Sequence, residues 1–409
     1  MISFETMCHY MNRVVLKYGG SSVSTIEKMQ QIAKTVVDRS RNEQVVVVIS
    51  AMGKTTNELL SLAKQASAKP SKREMDLLLA TGEQTSIALL TMILKDLGVK
   101  ATAFTGFQAG IKTEGRYTKN KIIEIDDQKI LQQLQEGHIV VVAGFQGINQ
   151  AGDITTLGRG GSDTTAVALG ARLGCPVEIY TDVDGIYTID PRIVPHAKKL
   201  DDIAYEEMKE MSFLGAKVME YQSLDIGERY HVPIYVAKTS SPTTGTWIKE
   251  FNVQAIKPIT GVSISEEVML VTIKYLPNNN RVVADVFVRL ADEGVNVDMI
   301  SESYSSKGLI HLSFTCQKED EESILTLFEE LKRQYVDVQP SFETSMVKVS
   351  VVGTGMRTQS GVAAMLFKLL AELDVAFRLV TTSEISISFT IPENEKERVA
   401  MAIANHFKL

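Results

Sequence analysis

Strand-length runs of consecutive apolar residues, alternating with helix-length segments, constrain what the first part of this chain can become. Val45 to Ile49 and Ile139 to Ala143 are apolar at every position, and Val177 to Tyr180 reads as a further strand. A strand without a polar face has no side to show to water, so it belongs in a parallel sheet covered on both faces. Asp76 to Leu97 places apolar residues at three-four spacing and stops at Gly98, which predicts a long covering helix. From Arg13 to about Thr246 the pattern predicts an α/β fold, a three-layer αβα sandwich around a mainly parallel sheet.

The scale changes after the turn-rich Ser240-Ser241-Pro242-Thr243-Thr244-Gly245. Strands are predicted at Met269 to Ile273, Asn296 to Ile300 and Leu309 to Thr315, and helices at Arg281 to Glu293 and Glu321 to Tyr335. The order then starts again. Strands fall at Met346 to Val352, Phe377 to Val380 and Ile385 to Thr390, and helices at Val362 to Leu373 and Glu393 to Phe407. A βαββα order occurring twice predicts two small ferredoxin-like modules. The expected domains are 12–250, 262–340 and 341–409, the last borrowing a strand from about 251–265.

A chain of 409 residues is long enough for two or three domains. Its 43 Lys+Arg against 50 Asp+Glu lack the basic excess of a nucleic-acid binder. No uninterrupted apolar run reaches the ~18 residues of a membrane span. Cys8, Cys175 and Cys316 are far apart and form no CxxC pair, so reduced thiols in a cytoplasmic protein are expected. Met1 to Met11 lacks the layout of a signal peptide, and Met11 is a candidate alternative start.

Lys17-Tyr18-Gly19-Gly20-Ser21-Ser22 ends a strand and opens a helix from about Thr25. Two glycines allow close backbone approach, and a helix start offers unpaired N–H groups to an anion. An ordinary strand–turn–helix with a solvent lysine accounts for the same residues. Gly158-Arg159-Gly160-Gly161-Ser162-Asp163-Thr164-Thr165 is richer. Ser162 or Asp163 is expected to cap a helix from Thr164 to Leu173, and an arginine between glycines suits a forked grip on carboxylate or phosphate. Thr181-Asp182-Val183-Asp184-Gly185-Ile186-Tyr187 leads from a strand into Asp190-Pro191-Arg192, where open α/β sheets bind ligands, although acidic turns are usually just solvated. Gly82 inside a predicted helix marks close approach of another group; Glu83 beside it could grip an amine or simply face solvent. Gly53-Lys54-Thr55 lacks the upstream glycine of a Walker A loop, and Gly158/Gly160 and Gly353/Gly355 lack the third glycine of a dinucleotide fingerprint.

Together these elements resemble the aspartokinases of the amino-acid kinase family, over nearly the whole chain. Lys17 to Ser22, Thr81-Gly82-Glu83, Gly158 to Thr165 and Thr181 to Arg192 match in order and spacing, and the tail looks like a tandem pair of ACT modules. The resemblance implies transfer of the ATP γ-phosphoryl group to the β-carboxylate of L-aspartate. It implies that Lys17 neutralises phosphoryl charge, that Asp163 orients Lys17, and that Tyr18, Gly19, Gly20, Ser21, Gly160 and Gly161 line the phosphates. Arg159 would hold the aspartate α-carboxylate and Glu83 its amine, with Ser50, Thr56 and Ser162 nearby. Thr181, Asp182, Tyr187, Arg192 and Lys217 match the nucleotide side, and magnesium arrives with ATP rather than on a protein site. Feedback by lysine, threonine or both is implied, with Asn278, Asn279, Asn280, Arg281, Val282, Asn296 and Asp298 as candidate effector contacts. A sheet end and an asparagine-rich turn explain those residues equally well. A homodimer or dimer of dimers is expected, with no nucleic-acid or membrane partner.

The chain departs from the family pattern at Met219-Glu220-Tyr221-Gln222 and at Pro277-Asn278-Asn279-Asn280-Arg281. Two competing readings are a relative that phosphorylates another acid, such as glutamate, and a non-catalytic amino-acid sensor. Glu83 with Arg159 weighs against the first, and the intact Lys17, Arg159 and Asp163 against the second.

Overall fold

The computed structural model describes residues 13–158, 160–216, 218–241, 243–250, 257–305 and 308–409. They fall into two compact units. One lies within Met1–Ile186, Lys199–Ser212 and Lys217–Asn252; the other lies within Tyr187–Lys198, Phe213–Ala216 and Val253–Leu409.

The first unit runs β1 (Arg13–Tyr18), α1 (Ile26–Ser40), β2 (Gln44–Ile49), α2 (Thr55–Ala66), α3 (Lys72–Asp96), β3 (Ala101–Phe104), β4 (Ile111–Arg116), β5 (Lys119–Ile125) and α4 (Gln128–Gln135). It continues through β6 (Ile139–Ala143), β7 (Gln146–Ile148), β8 (Ile154–Thr156), α5 (Gly161–Leu173), β9 (Val177–Thr181), β10 (Asp202–Ala204), α6 (Tyr205–Phe213), α7 (Tyr221–Arg229), β11 (Ile234–Lys238) and β12 (Thr246–Lys249). Eight strands form one sheet in the order β10-β12-β11-β9-β1-β2-β6-β3, and only the β11–β12 pair is antiparallel. β1, β2 and β6 are central and buried almost throughout, which is why their sequences carry no polar alternation. Met29, Ile32 and Val36 of α1 and Ile87, Leu90 and Leu94 of α3 cover one face, against Val14, Leu16, Val47 and Val141. α5 covers the other face, and Gly170 lets it close onto Val177 of β9, where a Cβ would fall 2.3 Å from the valine side chain.

By length and composition α3 would be apolar enough to cross a membrane, but half of its most apolar stretch is buried in the protein. Its Asp76 and Glu83 carboxylates are buried there too, as suits a core helix. A separate four-stranded sheet, β5-β4-β7-β8, was not expected from the sequence. Its β4–β5 hairpin reads as polar, with Lys112, Glu114, Lys119, Lys121 and Glu124 along it, so only the buried Ile111, Thr113, Asn120 and Ile125 mark an inner face.

The second unit contains β13 (Gly261–Pro277), α8 (Asn280–Asp292), β14 (Ile300–Tyr304), β15 (Leu309–Gln317), α9 (Glu321–Gln334), β16 (Gln339–Val352), α10 (Val362–Glu372), β17 (Val380–Thr382), β18 (Ser386–Pro392) and α11 (Lys396–Phe407). Its sheet has the order β14-β15-β13-β16-β18-β17, antiparallel throughout and symmetric about the central pair. Residues 261–265 lie beside 348–352, so the long β13 serves both halves.

Two strands begin later than the sequence suggested, at Ile300 rather than Asn296 and at Val380 rather than Phe377. The cause is the same in both halves. Met299 N–H donates to the Thr315 hydroxyl at 3.0 Å, and Leu379 N–H to the Thr390 hydroxyl at 3.1 Å. A threonine side chain thus takes a donor that a regular ladder would use, and the ladder starts only beyond it. Asp298 N–H to Thr315 O and Arg378 N–H to Thr390 O, both 3.0 Å, repeat the match.

Residues Tyr187–Lys198, read from sequence as continuing a loop of the first domain, belong to the second unit. Ile189, Val194 and Ala197 are buried in one core with Val347, Val349, Leu366, Phe389 and Ile403.

Candidate active site

In the eight-stranded sheet β1 has β2 on one side and β9 on the other, so strand order reverses at β1. Crevices at the carboxyl ends of strands beside such a switch point are where open α/β sheets bind ligands. Lys17 sits there, 7% exposed, and its Nζ lies 2.5 Å from Asp163 Oδ1. The solvent-lysine reading therefore fails. Its Nζ also lies 3.5 Å from where a Cβ on Gly19 would be, an ordinary contact distance.

The helix carrying Asp163 starts earlier than expected. Gly160, at φ 65°, is the N-cap and α5 begins at Gly161, so Ser162 and Asp163 lie in its first turn and neither side chain caps it. The left-handed glycine turns the chain into the helix early. Gly160 also packs on Glu220, whose Cβ would lie 2.4 Å from an added Cβ. Gly144, at the end of β6, abuts Ser162, with 2.7 Å between the side chain and a built Cβ. Gly144 was not singled out from sequence, although a glycine directly after a buried strand is the signal for it.

On the β2 side, Gly20 packs against the Ala51 carbonyl, which would lie 2.8 Å from a Cβ there. The Ala51 N–H donates to Glu83 Oε1 at 3.0 Å. Glu83 is 3% exposed, so it does not face solvent, and its Oε2 is buried with no hydrogen-bond partner. Burial pushes this carboxyl up to about 7, with the Ala51 N–H pulling the other way. A half-satisfied buried carboxylate is costly unless a donor or cation arrives to complete it. Gly82 permits the arrangement, because a Cβ there would lie 2.8 Å from Ala51 Cβ. Gly82→Ala should gain up to about 1 kcal/mol of helix propensity and lose about 1–3 kcal/mol to overpacking, for a net loss visible in denaturant unfolding.

Asp163, Lys17, Gly19, Gly20, Ala51 and Glu83 thus form a continuous chain of contacts across the ends of β1 and β2. Ser50 N–H donates to Tyr18 O at 3.1 Å on the same rim, and Thr56 lies in the first turn of α2. Ser21 is exposed, and its carbonyl accepts from Lys28 Nζ at 2.9 Å. Beyond β9, the Thr181 hydroxyl donates to Asp182 Oδ1 at 3.0 Å. Tyr187 and Arg192 lie in the second unit, where Arg192 Nε bonds both Asp190 oxygens at 3.0 Å. Arg159 and Lys217 lie outside the described residues.

Of the candidate effector contacts, Asn279 is the N-cap of α8, its side chain accepting Arg281 N–H at 2.9 Å. Asn278, Asn280, Arg281 and Asn296 are exposed and Val282 is half-buried. Asp298 pairs with Lys348, a lysine only 4% exposed on β16.

The family model described as the amino acid kinase family matches residues 12–238, and an ACT domain model matches residues 349–407. The aspartokinase of Bacillus sp. strain MGA3 is 43% identical over 404 residues, covering 98% of each chain. E. coli aspartokinase III in complex with aspartate and ADP, in its R-state, superposes with a TM-score of 0.79 at 26% identity, covering 97% of this chain and 100% of that one. The same enzyme in complex with lysine and aspartate, in its T-state, gives 0.79 at 25% identity, covering 96% and 99%. With a kinase core on one side, an ACT domain on the other and this identity along almost its full length, the chain belongs to the aspartokinases of the amino acid kinase family.

Proposed function

We propose that the chain is a feedback-regulated aspartate kinase. It transfers the γ-phosphoryl group of ATP to the β-carboxylate of L-aspartate and yields 4-phospho-L-aspartate and ADP, the first step toward lysine, threonine and methionine. One observation carries the reading: a buried Lys17–Asp163 pair and a buried, half-satisfied Glu83 meet the same strand ends.

The chemistry needs no general base. A carboxylate is ionised at neutral pH, so its oxygen attacks the γ-phosphorus directly while the bond to the β-phosphate oxygen breaks. What remains is to hold two anions in line and absorb spread negative charge. Lys17 does the second, and Asp163 fixes where its ammonium points. Gly19, Gly20, Ser21, Gly160 and Gly161 border the phosphates, with Tyr18 on the same strand end; Gly20 and Ser21 offer the backbone donors, since the Gly19 N–H is given to Tyr180 O and the Gly161 N–H to Gly158 O. Magnesium enters with ATP as part of the substrate. Glu83 takes the aspartate ammonium on its free oxygen, Arg159 takes the α-carboxylate, and Ser50, Thr56 and Ser162 border the pocket. Thr181, Asp182 and Lys217 serve the nucleotide side; Tyr187 and Arg192, matched to it by sequence, fall in the second unit.

Lysine, threonine or both act through the ACT modules, with residues 278–282, Asn296 and Asp298 as contacts; Asp298 is already paired with the Lys348 ammonium, against which an effector ammonium would compete. A coupling of about 1–3 kcal/mol suffices for inhibition. The enzyme is read as a cytoplasmic homodimer or dimer of dimers. An ATP-dependent assay with aspartate, then glutamate, then aspartate plus lysine, threonine and both tests the whole reading. Aspartate should be the preferred acceptor and at least one effector should lower the rate. Preference for glutamate, or no turnover of either acid, defeats it.

A further inference from the structure

α3 carries two buried carboxylates seven residues, or two turns, apart on one face: Glu83, and Asp76 with no exposed surface. Nothing in the phosphoryl chemistry above uses Asp76, yet it is heavily engaged. Both its oxygens lie 3.0 Å from Thr118 N–H. Oδ2 also accepts Thr156 N–H at 3.1 Å, and Oδ1 accepts the Thr156 hydroxyl at 2.6 Å. Burying a carboxylate is expensive, and an amide here has one accepting oxygen for three donors.

The donors come from two segments that lead toward the amino-acid side of the pocket. Thr118 forms the tip of the β4–β5 hairpin at φ 72°, an unfavourable backbone state for a threonine. Its carbonyl lies 3.1 Å from where a Cβ on Gly158 would be. Thr156 ends β8, and Gly158 follows two residues later, ahead of the start of α5 at Gly161. A second pin on the same turn of α3 supports the first. Arg73 Nε donates to Asp153 Oδ1 at 2.8 Å, and the Tyr117 hydroxyl donates to Asp153 Oδ2 at 2.7 Å.

We propose that Asp76 is a positioning residue for the amino-acid half of the reaction. By fastening the hairpin tip and the end of β8 to the helix that bears Glu83, it sets the distance between Glu83 and the start of α5. The inference rests on the reading that these two features hold the ends of aspartate.

The test is steady-state kinetics of the full chain, varying each substrate at saturating levels of the other. Asp76→Asn should raise the aspartate KM by about 10-fold to 100-fold, the scale of a misplacement near 1 Å, with the ATP KM and kcat at saturating aspartate little changed. Thr156→Val should shift the aspartate KM the same way, and Thr156→Ser, which restores the hydroxyl, should bring it back. If Asp76→Asn does not fold, the Thr156 pair carries the test alone. An unmoved aspartate KM in the folded variants overturns the proposal, as does a parallel rise in both KM values, which marks a general loss of structure. A Glu83→Gln enzyme with unchanged aspartate KM would instead sink the reading of the pocket itself.

Discussion

Lys17→Met will lower kcat for aspartate phosphorylation by about 10²–10³-fold, the usual loss when one preorganised charge stabiliser is removed. Methionine keeps the length and apolar stem of the side chain, so packing beneath Gly19 changes little. The variant will also be less stable, because Asp163, with only 14% of its side chain exposed, loses its partner. Breaking one side of a buried pair costs about 3–5 kcal/mol. The double variant Lys17→Met/Asp163→Asn separates the two effects. It removes the stranded charge, so its melting temperature should recover while kcat stays low. Activity within a few-fold of wild type in Lys17→Met would show that the ammonium does not touch the transferring phosphoryl group.

Glu83→Gln will raise the aspartate KM by roughly 30-fold or more, since losing one partner of a desolvated charge pair costs about 2–5 kcal/mol. The pH dependence makes this specific. In the unliganded protein the Glu83 carboxyl titrates near 7, and only its ionised form attracts an ammonium. Below that point kcat/KM for aspartate should fall about tenfold per pH unit, and above it should level off. The glutamine variant should lack this limb. Stability runs the opposite way. The folded state holds this proton more tightly than the unfolded chain does, so the contribution to stability is full below about 4.5 and lost as pH rises through about 7. A flat wild-type profile between pH 6 and 8 would argue against an aspartate ammonium on Glu83.

Part of the packing at these strand ends was legible in the sequence because glycines report close approach. Gly20, Gly82, Gly160 and Gly161 each stand where a side chain would collide. Lys17 and Glu83 stood out as charges beside such glycines. Asp76 was invisible because an acid near a helix start ordinarily marks a solvated first turn, and its donors are 42 and 80 residues away. The helix entry at Gly161 was misplaced because Ser162 and Asp163 are good capping residues by type, and only the φ of Gly160 shows that they are not used. The central strands were legible from unbroken apolar runs, whereas the β4–β5 hairpin was not, because its inner face alternates with charges.

The stretch from Tyr187 to Lys198 bears on how such a protein could be taken apart. Ile189 and Val194, at 1% and 0% exposure, share their core with Ile259, Val262 and residues numbered beyond 340. Cutting the gene near codon 250 would hand those side chains to water and leave a sticky ribbon on the catalytic half. Kinase and regulator in this polypeptide are stitched together rather than strung in series, and an unregulated enzyme is better sought by point substitution than by truncation.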